Sequence, residues 1–501
     1  MHDERGGLTV RVSAPGEPLH RVRLHFAVRL PENTQFLGDA MERGYGDFEW
    51  RGFVPERRLS WYFAAWDKGS ASGFGLGVET GAASFAHFSV DQSGYTLTLD
   101  TQNGGTGVRL GERELLAATV RGVECPPAAG GSAFALVQAL CKALCRSPRL
   151  PGFPVYGGNN WYYAYGKSSH EQILRDAALM ASLAPQGTDN APFMVIDDGW
   201  QPRAESGVCT GAPHTHGNSR FPDMPGLAQA MRQAGTRPGI WIRPLGAAPE
   251  TPENLLLPAS RMSDSGAVET LDPSLAENLA TVATDIKRLT GEWGYELVKH
   301  DFTTFDIFGR WGFAMTEGYT KPGWHFNDNT RTTAEIVTDL YRTIRSAAGN
   351  ALLIGCNTVG HLGAGLFEIQ RTGDDTSGRE WERTRKMGVN TLAFRMPQHD
   401  AFFAVDADCV GIMRGEPVGW SLNRQWLDLL ARSGTPLFVS VDPDAVTGNI
   451  RAALTEAFAL ASVAQPVAEP LDWMQTTCPR EWNTGGEERV YDWYDPTPQK
   501  E

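Results

Sequence analysis

The first 150 residues alternate apolar and polar positions at the spacing of β-strands. Five such segments, LTVRVSA, HRVRLHFAVRL, SGFGLGV, YTLTLD and ELLAATVRGV, are separated by stretches rich in Gly, Asn, Asp and Pro. The pattern predicts an antiparallel β-sandwich domain over residues 1–150. A helical pattern then runs from Ala133 to Leu144, and three prolines after it mark a boundary, Pro148, Pro151 and Pro154.

From about Val155 onwards, short apolar segments alternate with amphipathic helical ones. The strand candidates are VYGGNNW, APFMVIDDGW, RPGIWIRPL, ELVKHDF, ALLIGCN, FEIQRTGDD, NTLAFRM and PLFVSV. One of the helical segments begins at Ser169 with the capping pattern S-H-E-Q. Strands and helices alternating over residues 151–445 predict a (β/α)8 barrel, the TIM barrel of α/β proteins. No dinucleotide-type GxGxxG follows the first of these strands, which argues against a doubly wound nucleotide-binding fold.

Residues 446–501 begin with a helical pattern, IRAALTEAFALASVAQP, and contain one clear strand candidate, ERVYDWYD. This region is short for an independent domain. We therefore expect a C-terminal helix and a short β-segment that pack on the barrel.

Polar and aromatic residues gather where the predicted barrel strands end. In (β/α)8 barrels the active site lies at the C-terminal ends of the strands, so these residues are expected to converge on one mouth. We predict that they form an active site. The residues concerned are Asn159, Asn160 and Trp161 on the first strand, Asp197, Asp198 and Trp200 on the second, Trp241 and Arg243 on the third, Lys299 and Asp301 on the fourth, Cys356 and Asn357 on the fifth, and Arg371, Asp374 and Asp375 on the sixth.

Carboxylates that face each other across a polar, Trp-lined mouth suit the cleavage of a glycosidic bond. Lys299 and Asp301 are two residues apart and would share one side of a strand, so Lys299 would lower the pKa of Asp301 and keep it ionised as a nucleophile. Asp374 and Asp375 are adjacent like charges, and their repulsion would raise the pKa of the one that acts as the acid. Arg371 could still orient one of them.

The composition narrows the choice of partner. The chain of 501 residues has 41% hydrophobic and 21% charged residues, which is typical of globular proteins. Its net charge of −14 argues against nucleic acid or an anionic membrane as the main partner. With 15 Trp, 12 Tyr and 23 Phe, the chain is rich in the aromatic rings that pack against sugars. These observations favour a carbohydrate partner.

No cofactor and no metal are predicted. The seven cysteines form no CxxC pair, no HExxH motif occurs, and the Lys and Arg residues among the clustered Asp oppose a Ca²⁺ or Mg²⁺ site. The start MHDERGGLTV lacks the features of a secretory signal, and we find no apolar run of about 18 residues that would span a membrane. We therefore expect a cytoplasmic enzyme, with a homo-oligomer left open.

Five motifs carry a resemblance to a known family. VIDDGW, GIWIRPL, VKHD, GCN and RTGDDT, in this order and spacing, resemble the α-galactosidase clan of glycoside hydrolases, clan D, and its family 36 (melibiase-like) enzymes most. The stretches RFPDMPGLAQAMRQAGTRPGIW and QHDAFFAVDADCVGI are also similar to segments of that family. The resemblance covers about residues 155–445.

The resemblance implies retaining hydrolysis of terminal α-linked galactose through a covalent glycosyl-enzyme. It places Asp301 as the nucleophile and Asp375 as the acid/base, with Asp374 as the alternative. It also implies that Asp197 and Asp198 bind the galactose hydroxyls at C4 and C6. The residues expected beside them in the galactose subsite are Lys299, Trp241, Cys356, Arg371 and Trp161, and we add Trp200, Arg243, Asn357 and Asp374 as substrate-binding candidates from their place at the strand ends.

Departures from the family pattern leave alternatives open. His300 stands where the family usually has an aromatic residue, and Arg243 stands where a glutamate is frequent, which would suit a charged aglycone or a modified sugar. The alternatives are an α-N-acetylgalactosaminidase, a raffinose-synthase-like transglycosylase and, from another class, a non-catalytic carbohydrate-binding barrel.

Overall fold

The N-terminal part is an antiparallel β-structure, as the alternating pattern predicts. The computed structural model describes residues 7–127, 131–206, 211–263, 269–315 and 318–494. In chain order the N-terminal strands are β1 (Leu8–Val12), β2 (Arg21–Ala27), β3 (Thr34–Asp39), β4 (Leu59–Asp67), β5 (Ser72–Val78), β6 (Phe85–Asp91), β7 (Gly94–Asp100) and β8 (Leu115–Cys125).

Strand β4 connects the two parts of this sheet. The strand order is β1-β8-β5-β4-β6-β7-β2, and β3 also pairs with β4. Strand β4 pairs with β5 from Tyr62 onwards, but it pairs with β6 only through Leu59 and Ser60. Between these two pairings, Trp61 has φ 45°, in the left-handed region that bulky residues rarely adopt. The strand therefore bends at Trp61, and the sheet folds into the sandwich-like arrangement that was predicted.

The central part is a parallel β-sheet alternating with helices. Its strands are β9 (Tyr156–Asn159), β10 (Phe193–Ile196), β11 (Arg237–Ile242), β12 (Leu297–His300), β13 (Leu352–Gly355), β14 (Ile369–Arg371), β15 (Ala404–Asp406), β16 (Cys409–Ile412) and β17 (Leu437–Val441).

These nine strands make eight staves of a barrel. They pair in the order β15-β14-β13-β12-β11-β10-β9-β17-β16, and every pairing is parallel. The two end strands, β15 and β16, are consecutive in the chain and separated only by Ala407 and Asp408. Asp408 has φ 72°, which interrupts a single seventh stave. The sheet thus closes through the chain itself, and the predicted (β/α)8 barrel is confirmed.

The helices lie largely where amphipathic patterns predict them. The Ser169 hydroxyl accepts a hydrogen bond from the Gln172 amide at 3.3 Å, so the S-H-E-Q pattern does cap a helix. The α-helices are α1 (Ala133–Leu144), α2 (Trp161–Ala164), α3 (His170–Leu183), α4 (Met224–Gln233), α5 (Ala276–Lys287), α6 (Thr303–Phe308), α7 (Thr333–Ala347), α8 (Gly360–Gly363), α9 (Trp381–Arg383), α10 (Thr391–Arg395), α11 (Trp420–Arg432) and α12 (Gly448–Ala461).

One predicted strand is wrong. The segment NTLAFRM is not the seventh stave; it contains helix α10, which continues a π-helical segment over Thr384–Asn390. All five residues of α10 are buried, so the helix has no polar face to reveal its period. The seventh stave lies further along the chain, in β15 and β16.

The C-terminal region is a helix followed by a small sheet, as predicted. After α12, three short antiparallel strands pair in the order β18 (Glu469–Pro470), β19 (Glu481–Thr484) and β20 (Glu487–Val490). The region packs on the barrel, because the Tyr491 hydroxyl donates to Asp428 of α11 at 2.9 Å and the Trp381 indole donates to the Trp493 carbonyl at 2.7 Å. Among the helices of the described ranges, none combines the length and apolar character that crossing a bilayer requires.

Candidate active site

Asp197, Lys299 and Asn159 form a buried polar cluster at the ends of β9, β10 and β12. One oxygen of Asp197, Oδ2, accepts from the Lys299 ammonium at 2.6 Å and from the Asn159 amide at 2.7 Å. Side chains of a strand alternate between its two faces. Accordingly, His300 points the other way, is fully buried, and packs its ring 4.5 Å from that of Phe367. Burial lowers the pKa of His300 to about 3, so it is a neutral core residue and not a ligand in the mouth.

Asp301 has different partners from those that the sequence predicts. Lys299 donates its hydrogen bond to Asp197, whereas Asp301 accepts from the Trp241 indole at 3.3 Å and from the Phe302 amide at 2.7 Å. Lys299 and Asp301 share one side of the strand pattern, but they make no direct hydrogen bond to each other. Strand β12 ends at His300 and Phe302 adopts φ 66°, so the regular alternation of side chains no longer applies at Asp301.

Lys299 nevertheless lies within electrostatic range of both predicted catalytic carboxylates. Burial lowers the pKa of Lys299, but the charge of Asp197 and, more weakly, that of Asp301 outweigh it and raise this pKa above its usual value. The charge of Lys299 is in turn among those that lower the pKa of Asp375. Lys299 thus contributes to the electrostatic environment of carboxylates from the fourth and the sixth stave.

Asp198 lies beside Asp197 but in a different environment. It is 5% exposed, and the Gly199 amide donates to its Oδ1 at 2.8 Å. Burial, together with the negative charge of Asp197, raises the pKa of Asp198 to about 7. Near neutral pH the carboxyl group of Asp198 therefore exchanges between its protonated form, which can donate a hydrogen bond, and its ionised form, which only accepts.

Arg371 connects the fifth, sixth and seventh staves. This buried side chain donates to Asp375 Oδ1 at 3.0 Å, forms an ion pair with Asp408 Oδ2 at 2.7 Å, and contacts Cys356 Sγ at 3.4 Å. Burial and the charge of Asp301 raise the pKa of the Cys356 thiol well above its usual value. Cys356 is therefore an uncharged lining residue of the mouth.

Asp375 is the more accessible of the two adjacent carboxylates, and its side chain is 37% exposed. Burial raises its pKa, but the positive charges of Arg371, Arg43 and Lys299 together hold it below the usual value. Asp374 is instead held between Arg43 at 3.0 Å and Arg383 at 2.8 Å. The predicted increase in pKa is therefore wrong for Asp375, because the surrounding cations outweigh the effect of burial.

The N-terminal domain contributes to this side of the mouth, which the sequence did not reveal. The Gly44 amide donates to the Thr372 carbonyl at 2.8 Å, and the Asp374 amide donates back to the Gly44 carbonyl at 3.1 Å. These bonds bring Arg43 against Asp374. No sequence motif predicts this contact, because Arg43 lies in a loop more than 300 positions before Asp374 in the chain.

Asp408 is a second residue that strand ends did not indicate. Its Oδ2 accepts from Arg371, from the Thr376 amide at 2.8 Å, and from the Tyr162 hydroxyl. Its position follows from the break in the seventh stave, which the wrong prediction for that strand concealed. Only the Asp-x-Asp-Cys stretch of the resemblance pointed to this region.

Three of the predicted substrate-binding residues are buried, and their side chains contact other protein groups. Trp200 is fully buried and packs edge-on against Trp293 at 5.6 Å, so it is a core residue. Asn357 is also fully buried, and its amide group bonds the Phe305 amide and Glu42.

The third is Arg243, whose guanidinium Nε donates to Asp306 at 2.9 Å and which lies 4.3 Å from the centre of the Phe302 ring. The predicted role of Arg243 in binding a charged aglycone is therefore not supported. Trp161, by contrast, is only half-buried and lies 5.2 Å from the ring of Tyr165 at the mouth.

Among the residues that the structure describes, no group of three or more His, Cys, Asp or Glu side chains is arranged to hold a metal ion. The site is thus an array of carboxylates, each held by amides, indoles or cations. Such an array can supply a nucleophile, a proton donor and hydrogen bonds to hydroxyl groups.

The fold and this mouth define a two-domain (β/α)8-barrel protein with a carboxylate-rich site. No protein-family model matches the sequence, and none of the curated proteins matches it. Solved structures do match, among them α-galactosidases that include enzymes of glycoside hydrolase family 36.

Three of these structures illustrate the likeness. An α-galactosidase from Thermus thermophilus, in complex with p-nitrophenyl α-D-galactopyranoside, has a TM-score of 0.64 at 17% identity and covers 97% of this chain and 99% of its own. A family 36 α-galactosidase from Geobacillus stearothermophilus has a TM-score of 0.59 at 16% identity, over 88% of this chain and 62% of that one. The α-galactosidase from Lactobacillus brevis gives 0.58 at 12% identity, over 88% and 60%. This chain therefore shares the fold of the family 36 α-galactosidases.

Proposed function

We propose that the protein is a retaining glycoside hydrolase that removes terminal α-linked galactose. One observation carries the proposal: Asp301, held by the Trp241 indole at 3.3 Å, and Asp375, held by Arg371 at 3.0 Å, follow the C-terminal ends of parallel staves and so lie at the same end of the barrel. Carboxylates on both sides of one small polar mouth are what double displacement requires. The Thermus thermophilus neighbour binds an α-galactoside, which supports the choice of sugar.

Asp301 is the proposed nucleophile. Its two oxygens accept from the Trp241 indole and the Phe302 amide, and these bonds fix the carboxylate without consuming all of its lone pairs. In the first step an Asp301 oxygen forms a bond to C1 of galactose as the bond from C1 to the leaving oxygen breaks. The product is a covalent glycosyl-enzyme and a free aglycone.

Asp375 is the proposed acid/base. Its proton passes to the leaving oxygen in the first step, and the resulting carboxylate accepts a proton from the attacking water in the second. Its half-exposed position suits exchange of protons with solvent, and Arg371 orients it through the 3.0 Å bond. Asp374 does not suit this role, because Arg43 and Arg383 occupy both of its oxygens.

The galactose ring is proposed to bind against Asp197, Asp198, Lys299 and Trp161. Charge-assisted hydrogen bonds to hydroxyl groups are each worth about 1.5–3 kcal/mol, so a buried pair of carboxylates gives both affinity and selectivity for the sugar. The proposed reaction implies that the partner of this protein is a carbohydrate. The cytoplasmic location, a homo-oligomer and the domain boundaries at residues 150 and 445 remain predictions of the sequence.

The test is hydrolysis of p-nitrophenyl α-galactoside by the wild type, by Asp301→Ala and by Asp301→Ala with added azide. We expect turnover by the wild type, almost none by the variant, and partial recovery with azide to give β-galactosyl azide, because the small anion replaces the missing carboxylate. Turnover by Asp301→Ala without azide would refute the role of Asp301.

The same assay distinguishes the alternatives. Parallel measurements with the β-galactoside and with p-nitrophenyl α-N-acetylgalactosaminide test the choice of sugar. Product analysis with and without an added sugar acceptor tests transglycosylation. Binding of galactosides without turnover of any of them would favour the non-catalytic barrel.

A further inference from the structure

An aromatic cluster extends outwards from the proposed nucleophile. The ring of Phe302, next to Asp301, lies 6.3 Å from Trp241 and 5.5 Å from Trp311. Trp311 also stacks on Phe305 at 4.4 Å. The cluster therefore begins at the base of the mouth and continues along the segment that follows the fourth stave.

Two further rings lie beside this cluster, and the guanidinium of Arg43 lies near both Tyr45 and Trp311. Phe313 is 61% exposed, and it meets Tyr45 of the N-terminal domain edge-on, with ring centres 5.1 Å apart and an interplanar angle of 82°. A single exposed phenylalanine is common on protein surfaces. Phe313 differs because its segment and its partner ring are both held in place.

Glu42 holds the two rings together. Its Oε1 accepts from the Gly312 amide at 2.6 Å and also from the Tyr45 hydroxyl. The carboxylate thus joins the segment of Phe313 to the loop of Tyr45. A Cβ atom at Gly312 would lie 2.5 Å from Glu42 Oε1, so the contact requires glycine. The exposed ring of Phe313 and the half-buried ring of Tyr45 are therefore preorganised by Glu42.

The rings border the acid/base side of the mouth. The guanidinium of Arg43 lies 5.1 Å from the centre of the Trp311 ring and 5.9 Å from that of Tyr45, while it pairs with Asp374 at 3.0 Å. The leaving group must lie beside the acid that protonates it. An aglycone that extends from Asp375 towards solvent would therefore meet these rings.

A cavity of about 360 Å³ lies beside the same residues. It is bordered by Arg43, Tyr45, Gly312 and Phe313, and it continues between the two domains towards His87. Small-molecule sites in proteins span about 300–1,000 Å³. The space is thus sufficient for one or two sugar rings.

We propose that Phe313, buttressed edge-on by Tyr45, is an aglycone platform, and that the ring next to the scissile bond stacks on its exposed face. The ligand class is a neutral pyranose or aryl ring, because the platform offers aromatic faces while the neighbouring charges are paired with one another. This inference rests on the proposed function, and it makes the N-terminal domain part of the substrate site.

The test compares substrates with and without an aglycone ring. Phe313→Ala is measured with raffinose, with p-nitrophenyl α-galactoside and with α-galactosyl fluoride, whose leaving group is a single atom. We expect kcat/KM to fall about 3- to 10-fold for the first two, through KM, and to stay unchanged for the fluoride. Tyr494→Ala, at a tyrosine that is 54% exposed in the C-terminal region, is the control and should change none of the three.

A second measurement does not depend on turnover. Calorimetric titration with sucrose, the aglycone of raffinose, should give weaker binding to Phe313→Ala than to the wild type by the same factor. Equal sucrose affinities, or equal losses of kcat/KM for the fluoride and raffinose, would overturn the platform. Absence of cleavage of all three substrates by the wild type would overturn the proposed function instead, and the sucrose titration would still decide on the platform.

Discussion

The side of the mouth with the proposed nucleophile Asp301 (the nucleophile side) and the side with the proposed acid/base Asp375 (the acid/base side) hold similar residues but are assembled differently. On the nucleophile side, Asp197, Lys299 and Asp301 come from the ends of nearby parallel strands. On the acid/base side, Asp375 is surrounded by Arg371 from the sixth stave and Arg43 from the other domain. The first side is a direct product of barrel geometry, whereas the second needs contacts between distant parts of the chain.

The two sides also shift carboxyl groups in opposite directions. Burial and a neighbouring carboxylate raise the pKa of Asp198 to about 7. Burial acts on Asp375 as well, but three cations reverse the effect and lower its pKa. Burial alone therefore does not decide the direction of a pKa shift; the charges that share the buried space decide it.

The largest expected effect separates the roles of the two sides. Asp375→Ala should reduce kcat for raffinose by roughly 10²–10⁴-fold, the usual contribution of general acid catalysis. The loss should be much smaller for 2,4-dinitrophenyl α-galactoside, because that leaving group departs without a proton. Asp301→Ala should lose turnover of both. Steady-state kinetics on the two substrates check this, and equal losses in Asp375→Ala would contradict its role as the acid.

The next effect concerns the contacts that hold Arg371. Asp408→Asn should lower the free energy of unfolding by about 3–5 kcal/mol, because it leaves the buried Arg371 without its closest carboxylate. Denaturant unfolding followed by fluorescence measures the change. Asp444→Asn is the matched control, since its ion pair with Arg414 lies between two exposed side chains and should contribute within about 1 kcal/mol. Equal free energies of unfolding of the two variants would show that the ion pair of Asp408 with Arg371 does not stabilise the fold more than an exposed ion pair does.

A smaller effect follows from the raised pKa of Asp198. Between the ordinary carboxyl pKa and about 7, the folded state holds a proton on Asp198 that the unfolded state has lost, so this group makes the protein less stable as pH rises. Asp198→Asn, which mimics the protonated form, should remove a slope of at most about 1.4 kcal/mol per pH unit in this window. Unfolding measured from pH 4 to pH 8 tests this. The exposed Asp444→Asn should keep the wild-type slope, and an unchanged slope in Asp198→Asn would contradict the shift.

The smallest effect is a change in pH dependence on the acid/base side. The lowered pKa of Asp375 confines its proton-donating form to acidic pH, so kcat/KM should fall as pH rises through that pKa. Arg43→Gln removes one of the cations that lower it, and the pKa should rise and move the falling limb to higher pH. Arg51→Gln, at an exposed arginine in the same domain, should leave the profile unchanged. An unchanged pH profile in Arg43→Gln would show that Arg43 of the N-terminal domain does not lower the pKa of Asp375.

Much of the fold was readable from local patterns, but strands β3, β4 and β6 and the helical structure of α10 were not predicted. Strand β4 and helix α10 are nearly or entirely buried, so neither shows the alternation between polar and apolar positions from which a period is inferred. Strands such as β2, with one exposed face, were found because water on that face selects polar residues at every second position.

The features of the candidate site also fall into those that local sequence patterns predict and those that depend on the tertiary structure. The sequence by itself determined which carboxylates end the parallel strands, because a barrel brings the ends of all its staves to one mouth wherever the chain places them. Only the tertiary structure decided that Lys299 pairs with Asp197, that Asp374 is held by Arg43 and Arg383, and that Trp200 belongs to the core. The reason is physical: ion pairs and burial depend on distances across the fold, and those distances are set by packing between segments that are far apart in the chain.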